Sequence, residues 1–390
     1  MVKIGQPLNQ SISDSGFDKF LNRPFEGFGG ATREWEEEAG YSYQDLVDHV
    51  NNSVIHAQEF ASVVADSPEG IQATIDHLHS LGGGVVHLKS GTYPMSSNIT
   101  LYSNIELNGE DDDTSIIDFN NTTYYLSILG EAGNYKRNVR LKNLQIRNGR
   151  NTTYGALRLD YAEDCDFSHV YFKDNANLGA STGLDCYIYD SQRIDFSNIR
   201  MSGEYDGFYL ESSGECHFNK IRTSTVKHDV FEINSCERTW VTRLYCYEND
   251  HYGFYVRGGS IFTHIENCIF DVSKNRAVYA LSSGNIHITD NDFFGDGPDS
   301  AGELILLSTS SDNTVRGNFI VGNNGDAIKV ISGDHNDISH NEVGWAGGYG
   351  VNISNAASDK NRVLGNALSS CSSGAINNAG TDSEVAHNIT

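Results

Sequence analysis

The chain has 390 residues, and 52 acidic against 27 basic residues give it a formal net charge of −25 at pH 7. Such a charge repels phosphate groups, which excludes nucleic acid and an anionic membrane surface as partners. No apolar run reaches the roughly 18 residues of a membrane span, so the sequence predicts no membrane insertion. The acidic surplus is typical of a halophilic protein and equally of an ordinary acidic extracellular protein.

The seven cysteines form neither a CxxC motif nor a Cys/His spacing typical of a metal site. Their odd number argues against a complete disulfide framework. Cys186 and Cys268 fall at or beside strand positions, so we expect them to pack as small core residues.

Residues 1–62 do not share the pattern of the rest of the chain. We interpret them as an N-terminal attachment or capping segment, and a plain solvated leader is the alternative. The residues after Met1 run directly into polar sequence, which predicts no signal peptide. Apolar residues at helical spacing predict a helix that begins at Ser42. These residues are Leu46, Val47, Val50, Val54 and Ile55.

A second helix is predicted to begin near Ser67. This residue is a good N-cap, and Pro68 takes the first helical position. Three glycines at 82–84 end the helix, and the apolar residues at 85–88 predict a strand. The apolar face of the helix consists of Ile71, Ile75, Leu78 and Leu81.

A strand pattern recurs at a fixed period in residues 181–259. Four stretches align on Gly183, Gly207, Val230 and Gly253, at intervals of 24, 23 and 23 residues. In each stretch apolar residues alternate with acids, tyrosines, Asn or Arg, which is typical of a strand with one buried face. The aligned column extends to Ala156 on one side and, on the other, to Ala277, Glu303, Ala327, Gly350 and Gly374.

A second strand pattern recurs at 139–143, 194–198, 286–291 and 336–341, and it ends in asparagine. Asparagine tolerates a left-handed backbone, and stacked amides can bond from coil to coil. The two patterns together predict an all-β fold, in which residues 63–390 form one parallel solenoid of about ten or more coils.

The segment GIQATIDHLHSLGGGVVHLKSGTYPMSSNITLYSNIELNGE, residues 70–110, resembles the opening of pectate-lyase-like proteins with a right-handed parallel β-helix. That superfamily includes polysaccharide lyases, glycoside hydrolases, uronate epimerases and viral tailspikes. The resemblance implies that the helix after Ser67 caps the N-terminal end of a single-stranded right-handed parallel β-helix. It also implies a homotrimer, because β-helix tailspikes are trimers.

Side chains on the outside of consecutive coils touch, because neighbouring strands lie about 4.8 Å apart. In residues 181–259 these side chains form a surface that we call the central face. Its strand residues are Asp185, Tyr187, Tyr209, Glu211, Glu232, Asn234, Tyr255 and Arg257, and Tyr205, Asp206, His228, Asp229 and His251 stand at its turn edge. Tyrosines offer flat apolar faces for sugar rings, while carboxylates and amides bind hydroxyl groups. The predicted substrate-binding residues are Tyr187, Tyr205, Tyr209, Asn234, His251, Tyr255 and Arg257.

Two glutamates of the central face form a candidate catalytic pair. Glu211 and Glu232 lie on adjacent coils with an offset of two residues, which separates them by roughly 8 Å at the backbone. This separation suits the acid and base of an inverting glycosidase. Two solvated acids on a very acidic protein are the alternative.

A second candidate chemistry involves the turn edge. His228, with Asp229 beside it and His251 one coil on, could serve as acid and base in a uronate lyase or C5-epimerase, which removes a proton next to a carboxylate. Turn histidines without a special role are the alternative. Asp185 is a further catalytic candidate. Calcium-dependent relatives use clustered acids, so the resemblance makes Asp206 and Asp229 candidate Ca²⁺ ligands, although the sequence requires no cofactor.

The C-terminal half suggests contact with other chains. The repeat continues to residue 388 without a predicted capping helix, so we expect either that the C-terminus is truncated or that another subunit or polypeptide covers that end. When the repeat is aligned on Glu303, four outward positions are apolar. They predict an apolar stripe on the surface, which either contacts another copy of the chain in a homo-oligomer or is covered by a loop. These positions are Leu281, Ile305, Leu307 and Ile331.

Together these features predict a tailspike- or fibre-like protein at the virion surface. Its partner would be a host polysaccharide or glycoprotein glycan, and residues 1–62 would bind other virion proteins. Whether it also depolymerises the glycan stays open. The first alternative is a secreted polysaccharide lyase, glycoside hydrolase or uronate epimerase, and the second is a purely structural virion component.

Overall fold

A computed structural model describes residues 54–56, 69–151, 153–175, 183–203, 205–295 and 302–390. The described residues from His56 onward belong to one compact unit. The predicted attachment segment 1–62 lies outside the described residues apart from Val54–His56. These three residues form a strand, so the helix prediction is wrong there, and the remainder of that helix lies outside the described residues.

Helix α1 (Glu69–Ser80) confirms the second predicted helix. Ile71, Ile75 and Leu78 are at most 1% exposed, because this face packs against strands of the first coil. The helix ends before Gly82 and Gly83, whose positive φ angles of 95° and 130° favour glycine. At Gly83 an added Cβ would also lie 2.5 Å from the carbonyl oxygen of Asn104. The predicted cap residues 67 and 68 lie outside the described part.

The rest of the described chain is built from short strands. In chain order they are β1 (Val54–His56), β2 (Gly84–Leu88), β3 (Gly91–Pro94), β4 (Ile99–Leu101), β5 (Ile105–Gly109), β6 (Ser115–Thr122), β7 (Leu126–Leu129), β8 (Lys136–Arg137), β9 (Arg140–Gly149), β10 (Leu157–Asp160), β11 (Ala162–Lys173), β12 (Leu184–Tyr189), β13 (Gln192–Ser202), β14 (Asp206–Glu211), β15 (Gly214–Val226), β16 (Phe231–Asn234), β17 (Glu237–Thr242), β18 (Tyr245–Asn249), β19 (Phe254–Arg257), β20 (Ile261–Glu266), β21 (Ile269–Ser273), β22 (Val278–Leu281), β23 (His287–Thr289), β24 (Asp292–Gly295), β25 (Ile305–Ser308), β26 (Thr314–Arg316), β27 (Phe319–Val321), β28 (Ile328–Ile331), β29 (Asp337–Ser339), β30 (Glu342–Gly344), β31 (Tyr349–Ile353), β32 (Arg362–Leu364), β33 (Ala367–Ser369), β34 (Gly374–Asn378) and β35 (Glu384–Ala386).

These strands form two sheets of a parallel solenoid. The first sheet has twelve strands, one from each coil, in the order β4, β7, β10, β12, β14, β16, β19, β22, β25, β28, β31 and β34. The second sheet contains the other 23 strands. The predicted single-stranded all-β solenoid is therefore confirmed, with about twelve turns and one short helix among the described residues.

The core consists of inward side chains stacked from coil to coil. Phe208, Phe231 and Phe254 pair in register, with ring centroids 5.0 and 4.9 Å apart and nearly parallel planes. Cys186 precedes them in the same column, and burial raises the pKa of its thiol. All seven cysteines are free thiols, and burial raises the pKa of Cys268 to about 12. The prediction that Cys186 and Cys268 are core residues is confirmed.

Buried asparagines form a ladder along the second sheet. The side-chain amide of each member except the last donates to the Oδ1 of the asparagine one coil on at 2.9 Å, which confirms the predicted stacking. Its members are Asn291, Asn318, Asn341, Asn366 and Asn388. The residue before each member has a positive φ, so the ladder marks a left-handed backbone position in each of these five coils.

The prediction of an apolar outward stripe is wrong at two of its four positions. Val278 pairs with Ile305, and Ile305 pairs with Ile328, so Leu304 and not Glu303 occupies the aligned column. Ile305 and Leu307 are consequently fully buried in the core. The two remaining positions, Leu281 and Ile331, lie outward and half-buried, with Ser308 between them in the column.

None of the helices in the described ranges combines the length and the apolar character that crossing a membrane requires.

The ladder predicts a large stability cost for an asparagine substitution. Asn341 is 1% exposed, and its amide donates to the carbonyl oxygen of Val315 and to Asn366. We expect Asn341→Ala to lower the free energy of unfolding by about 1–3 kcal/mol, since it leaves buried polar groups without partners. Asn378→Ala is the control, because Asn378 is exposed and accepts only a local hydrogen bond from Gly380. Equal losses of stability in denaturant unfolding would contradict the role of the ladder.

Candidate functional site

The outward side chains of the first sheet form two adjacent columns across the central face. One column runs Arg158, Tyr187, Tyr209, Glu232, Tyr255 and Tyr279, and the other runs Asp160, Tyr189, Glu211, Asn234, Arg257 and Leu281. Glu211 pairs with Asn234 and Tyr209 with Glu232, so the two glutamates have the predicted offset of two residues.

The outward position predicted for Asp185 is wrong. Cys186 pairs with Phe208, so this strand is displaced by two residues from the sequence alignment. Asp185 therefore precedes the outward columns, and its side chain is fully buried. Its Oδ1 accepts a hydrogen bond from the amide of Asn175 at 2.9 Å. Asp185 contributes to the interior and does not join the other candidate residues.

A cluster of tyrosines forms the first part of the central face. The rings of Tyr187 and Tyr209 stack with centroids 5.5 Å apart and planes 9° apart, and Tyr154 packs edge-on against Tyr187. The hydroxyl of Tyr187 donates to Glu211 Oε2 at 3.0 Å, and Asn234 donates to the hydroxyl of Tyr209 at 3.4 Å. Burial, followed by the bond to Glu211, raises the pKa of Tyr187. Tyr187 is therefore uncharged, and hydrogen bonds hold Tyr187 and Tyr209 in place.

Glu232 and Arg257 form an ion pair in the middle of the face. The Nε of Arg257 donates to Glu232 Oε1 at 2.6 Å. Burial raises the pKa of Glu232, and the charge of Arg257 opposes that shift without cancelling it. A raised pKa favours the protonated form of the carboxyl group, which is the form that a general acid requires. The same pair neutralises the arginine, so Arg257 is not an unpaired cation for a substrate.

Two histidine–aspartate pairs repeat along the turn edge. His228 Nδ1 lies 2.6 Å from Asp206 Oδ1, and His251 Nδ1 lies 2.6 Å from Asp229 Oδ1. The two imidazole rings stack with centroids 4.2 Å apart and planes 9° apart, and Tyr205 stacks on the other side of His228. The bond to Asp206 raises the pKa of His228. The repeat arises because each coil places its residues directly over those of the coil before.

The aspartates of this edge also bind the backbone of the next coil. Asp206 Oδ1 accepts from the N–H of Asp229 at 3.1 Å, and Asp229 Oδ1 accepts from the N–H of Tyr252 at 3.2 Å. The Asp229 side chain is only 2% exposed, whereas His228 and His251 are 35% and 30% exposed. A buried carboxyl group is therefore covered by two imidazoles that are about one-third exposed.

The turn edge and the tyrosines border one cavity of about 180 Å³. Its lining includes Tyr187, Tyr209, Glu232, Asp206 and Asp229. The cavity lining thus contains five of the predicted site residues. Six others contact them or one another, whereas Asp185 does not join them; the six are Tyr205, Glu211, His228, Asn234, His251 and Arg257.

A larger cavity of about 630 Å³ lies on the second sheet. Its lining is rich in charges that pair with one another, as in Arg193 with Asp164 at 2.6 Å and His217 with Asp195 at 3.0 Å. Because these charged groups are open to solvent, whereas the smaller cavity combines stacked tyrosines with the buried Asp229, we favour the smaller cavity as the functional site.

The central face extends beyond residues 181–259 in both directions, which the sequence analysis missed. Before it, Arg158 lies 3.6 Å above the ring of Tyr154. After it, Tyr279 stacks on Tyr255 with centroids 5.2 Å apart, and Lys329 forms an ion pair with Glu303. The outward columns after residue 259 are therefore mixed, because Tyr279 and Lys329 are polar whereas Leu281 and Ile331 are apolar as predicted. The alternation of residues 157–160 was the signal that could have located Arg158.

The fold and this surface define the class of protein as a parallel β-solenoid with a polar, aromatic outer face. The family described as right-handed beta helix region matches residues 85–293, more than half of the chain, and the protein belongs to that family. A second family, described as periplasmic copper-binding protein (NosD), matches residues 248–389. No curated protein matches the sequence.

Solved structures with the same fold come from several kinds of protein. The mannuronan C-5 epimerase AlgE6 A-module of Azotobacter vinelandii is 17% identical with a TM-score of 0.68, covering 86% of this chain and 98% of its own. The DFA-IIIase of Arthrobacter chlorophenolicus A6 is 14% identical with a TM-score of 0.59, covering 80% and 94%. Tailspike protein 3 of bacteriophage CBA120 is 13% identical with a TM-score of 0.56, covering 88% and 62%. At these identities the similarity establishes the fold alone.

The ion pair in the face predicts a directional titration change. Because Arg257 lowers the pKa of Glu232, Arg257→Gln should raise that pKa further above its ordinary value, as measured by NMR titration of the Glu232 carboxyl group. Arg276→Gln is the matched control, since Arg276 pairs with Glu303 at 3.0 Å. An unchanged Glu232 titration in the Arg257 variant would contradict the pairing.

Proposed function

We propose that the central face binds a glycan, and that the protein is a tailspike- or fibre-like protein that recognises a host-surface polysaccharide or glycoprotein glycan. The observation that carries this proposal is the stacked pair Tyr187 and Tyr209 at a cavity that also contains the carboxylate of Glu232. Aromatic rings pack against the apolar faces of sugars, and fixed polar groups beside them bind hydroxyl groups.

The length of the face supports a polymeric ligand. Tyrosines continue from Tyr154 through Tyr187 and Tyr209 to Tyr255 and Tyr279, so several consecutive sugar units would find a ring or a polar group. A polysaccharide or an extended glycan supplies such a series of sugar units.

Three further parts of the proposal concern the assembly of the protein and its location. The chain forms a homotrimer, residues 1–62 attach it to other virion proteins, and it acts at the virion surface. A secreted protein with the same glycan-binding face is the alternative. The shared fold with a bacteriophage tailspike supports the first version, and the shared fold with glycan-acting enzymes supports the second.

A second candidate function is enzymatic, and the turn edge favours it. In His228 and His251, Nδ1 is held by a carboxylate, which orients the ring and leaves Nε2 as the nitrogen for proton transfer. This arrangement suits proton removal next to the carboxylate of a uronate. For a hydrolase, Glu232 with its raised pKa suits the general acid, and Glu211 suits the base that activates water.

The binding proposal predicts the effect of removing one stacked ring. Tyr209→Ala should weaken glycan binding by about 10- to 30-fold, because a central aromatic anchor contributes about 1.4–2 kcal/mol. The assay is binding to an array of neutral polysaccharides and polyuronates. Tyr245→Ala is the control, since Tyr245 lies on the second sheet and bonds to Asp271. Equal effects of the two variants would contradict a glycan site on the central face.

The enzymatic candidate predicts product release from a bound polysaccharide. If the protein is a hydrolase, Glu211→Gln and Glu232→Gln should each slow the release of oligosaccharides by about 10²–10⁴-fold, while His228→Gln has a smaller effect. If it is a lyase, His228→Gln should be the damaging change, and the product should absorb ultraviolet light because it is unsaturated. Binding without any product from the unaltered protein would reject both enzymes and leave the binding proposal standing.

A further inference from the structure

We propose that His228, Asp229 and His251, with Asp206 beside them, bind one transition-metal ion such as Zn²⁺ at the edge of the central face. The site goes beyond glycan binding, because it depends on the turn edge and requires no sugar. Ligand atoms of His228, Asp229 and His251 all lie within 4.8 Å of one another. Asp206 Oδ1 lies beside this group, 2.6 Å from His228 Nδ1.

The coil repeat assembles this set from residues distant in sequence. His228 and His251 occupy the same position of consecutive coils, and so do Asp206 and Asp229. Their Nδ1 atoms and carboxylate oxygens therefore lie on one side of the ring stack. Three consecutive coils bring the two imidazoles and two carboxylates together.

Burial of Asp229 is the second reason for an ion. Its carboxylate lies 2.6 Å from His251 Nδ1 and 3.5 Å from His228 Nδ1, and the side chain is 2% exposed. A buried carboxylate is unfavourable unless a positive group pairs with it or a metal ion is coordinated. A divalent ion supplies that charge and uses both oxygens and both rings.

The donor types select the metal. Imidazole nitrogens with carboxylates suit Zn²⁺, Cu²⁺ or Ni²⁺, whereas Ca²⁺ prefers six to eight oxygen ligands. The Ca²⁺ ligands expected at Asp206 and Asp229 from the resemblance are thus better explained as part of a mixed nitrogen and oxygen site. Only His251 lies in the range matched by the copper-binding family, so that match carries no weight here.

Coordination requires a small movement of the rings. The imidazoles are nearly parallel, so an ion shared by both Nδ1 atoms would lie out of each ring plane. Each ring must turn about its Cβ–Cγ bond to direct its lone pair at the ion. Both side chains are about one-third exposed, which leaves room for that rotation. Where Nδ1 carries a hydrogen, that hydrogen must move to Nε2 or leave before Nδ1 can bind the ion.

An ion at this position would change the charge of the cavity. Asp206 and Asp229 line it together with Glu232, and Arg257 is already paired with Glu232. A bound dication would therefore be the positive group that an acidic sugar could approach.

The test is metal binding by the full-length protein after dialysis against a chelator. Isothermal titration with ZnCl₂ should show one ion per chain, and Co²⁺ should give a visible absorption band typical of nitrogen ligands. His251→Gln should weaken Zn²⁺ binding at least about 10- to 100-fold, the loss that is typical when the surroundings of a metal ligand are disturbed. His251 is half-exposed, so this variant is expected to fold, and circular dichroism checks that it does. Asp229→Asn is a second variant with the same expected loss.

His264→Gln is the matched control. His264 stacks on His287 with centroids 4.6 Å apart and lies 3.3 Å from Glu266, but this pair has no buried carboxylate. It should bind Zn²⁺ like the unaltered protein. Equal Zn²⁺ affinity in His251→Gln and the unaltered protein, or binding of Ca²⁺ alone, would overturn the metal site. Glycan binding by the metal-free protein would leave the proposed function standing whatever the outcome for Zn²⁺.

Discussion

Stacking of one coil on the next, at the roughly 4.8 Å spacing of hydrogen-bonded strands, is the constraint on which the rest of the structure depends. Each residue lies over its equivalent in the preceding coil. Inside, this spacing suits parallel phenylalanine rings and amides that bond along the axis. Outside, it places Tyr187 over Tyr209 and His228 over His251. The core and the candidate site are thus two results of the same repeat.

Much of the fold could be predicted because the coils of a solenoid appear in the sequence as a pattern with a fixed period. The helix before the first coil, the strand alternation and the asparagine ladder all follow from local patterns. Register was the weak point, because turns differ in length from coil to coil. A displacement by two residues, as at Asp185, preserves the alternation and cannot be detected from it. A displacement by one, as at Glu303, exchanges the two faces and moved Ile305 from the expected surface into the core.

The sequence predicted which residues belong to the candidate site, but not which of these residues pair with one another. Alternation identified the outward residues around Glu211 and Glu232, and adjacency followed from the coil spacing. The sequence could not show that Arg257 binds Glu232, or that Asp229 is buried beneath two imidazoles, because these depend on side-chain direction. Two ion pairs of the face matter for function. In a chain of net charge −25, Arg257 and Lys329 each form an ion pair with a carboxylate of the protein itself.

The direction of the hydrogen bonds gives the molecule a mechanical character. Bonds between parallel coils run along the solenoid axis, and the amide ladder runs beside them. Tension along the axis therefore loads all the bonds of a coil interface together, whereas a force that lifts a terminal coil from one edge loads them one after another. Such a solenoid resists axial stretching better than peeling.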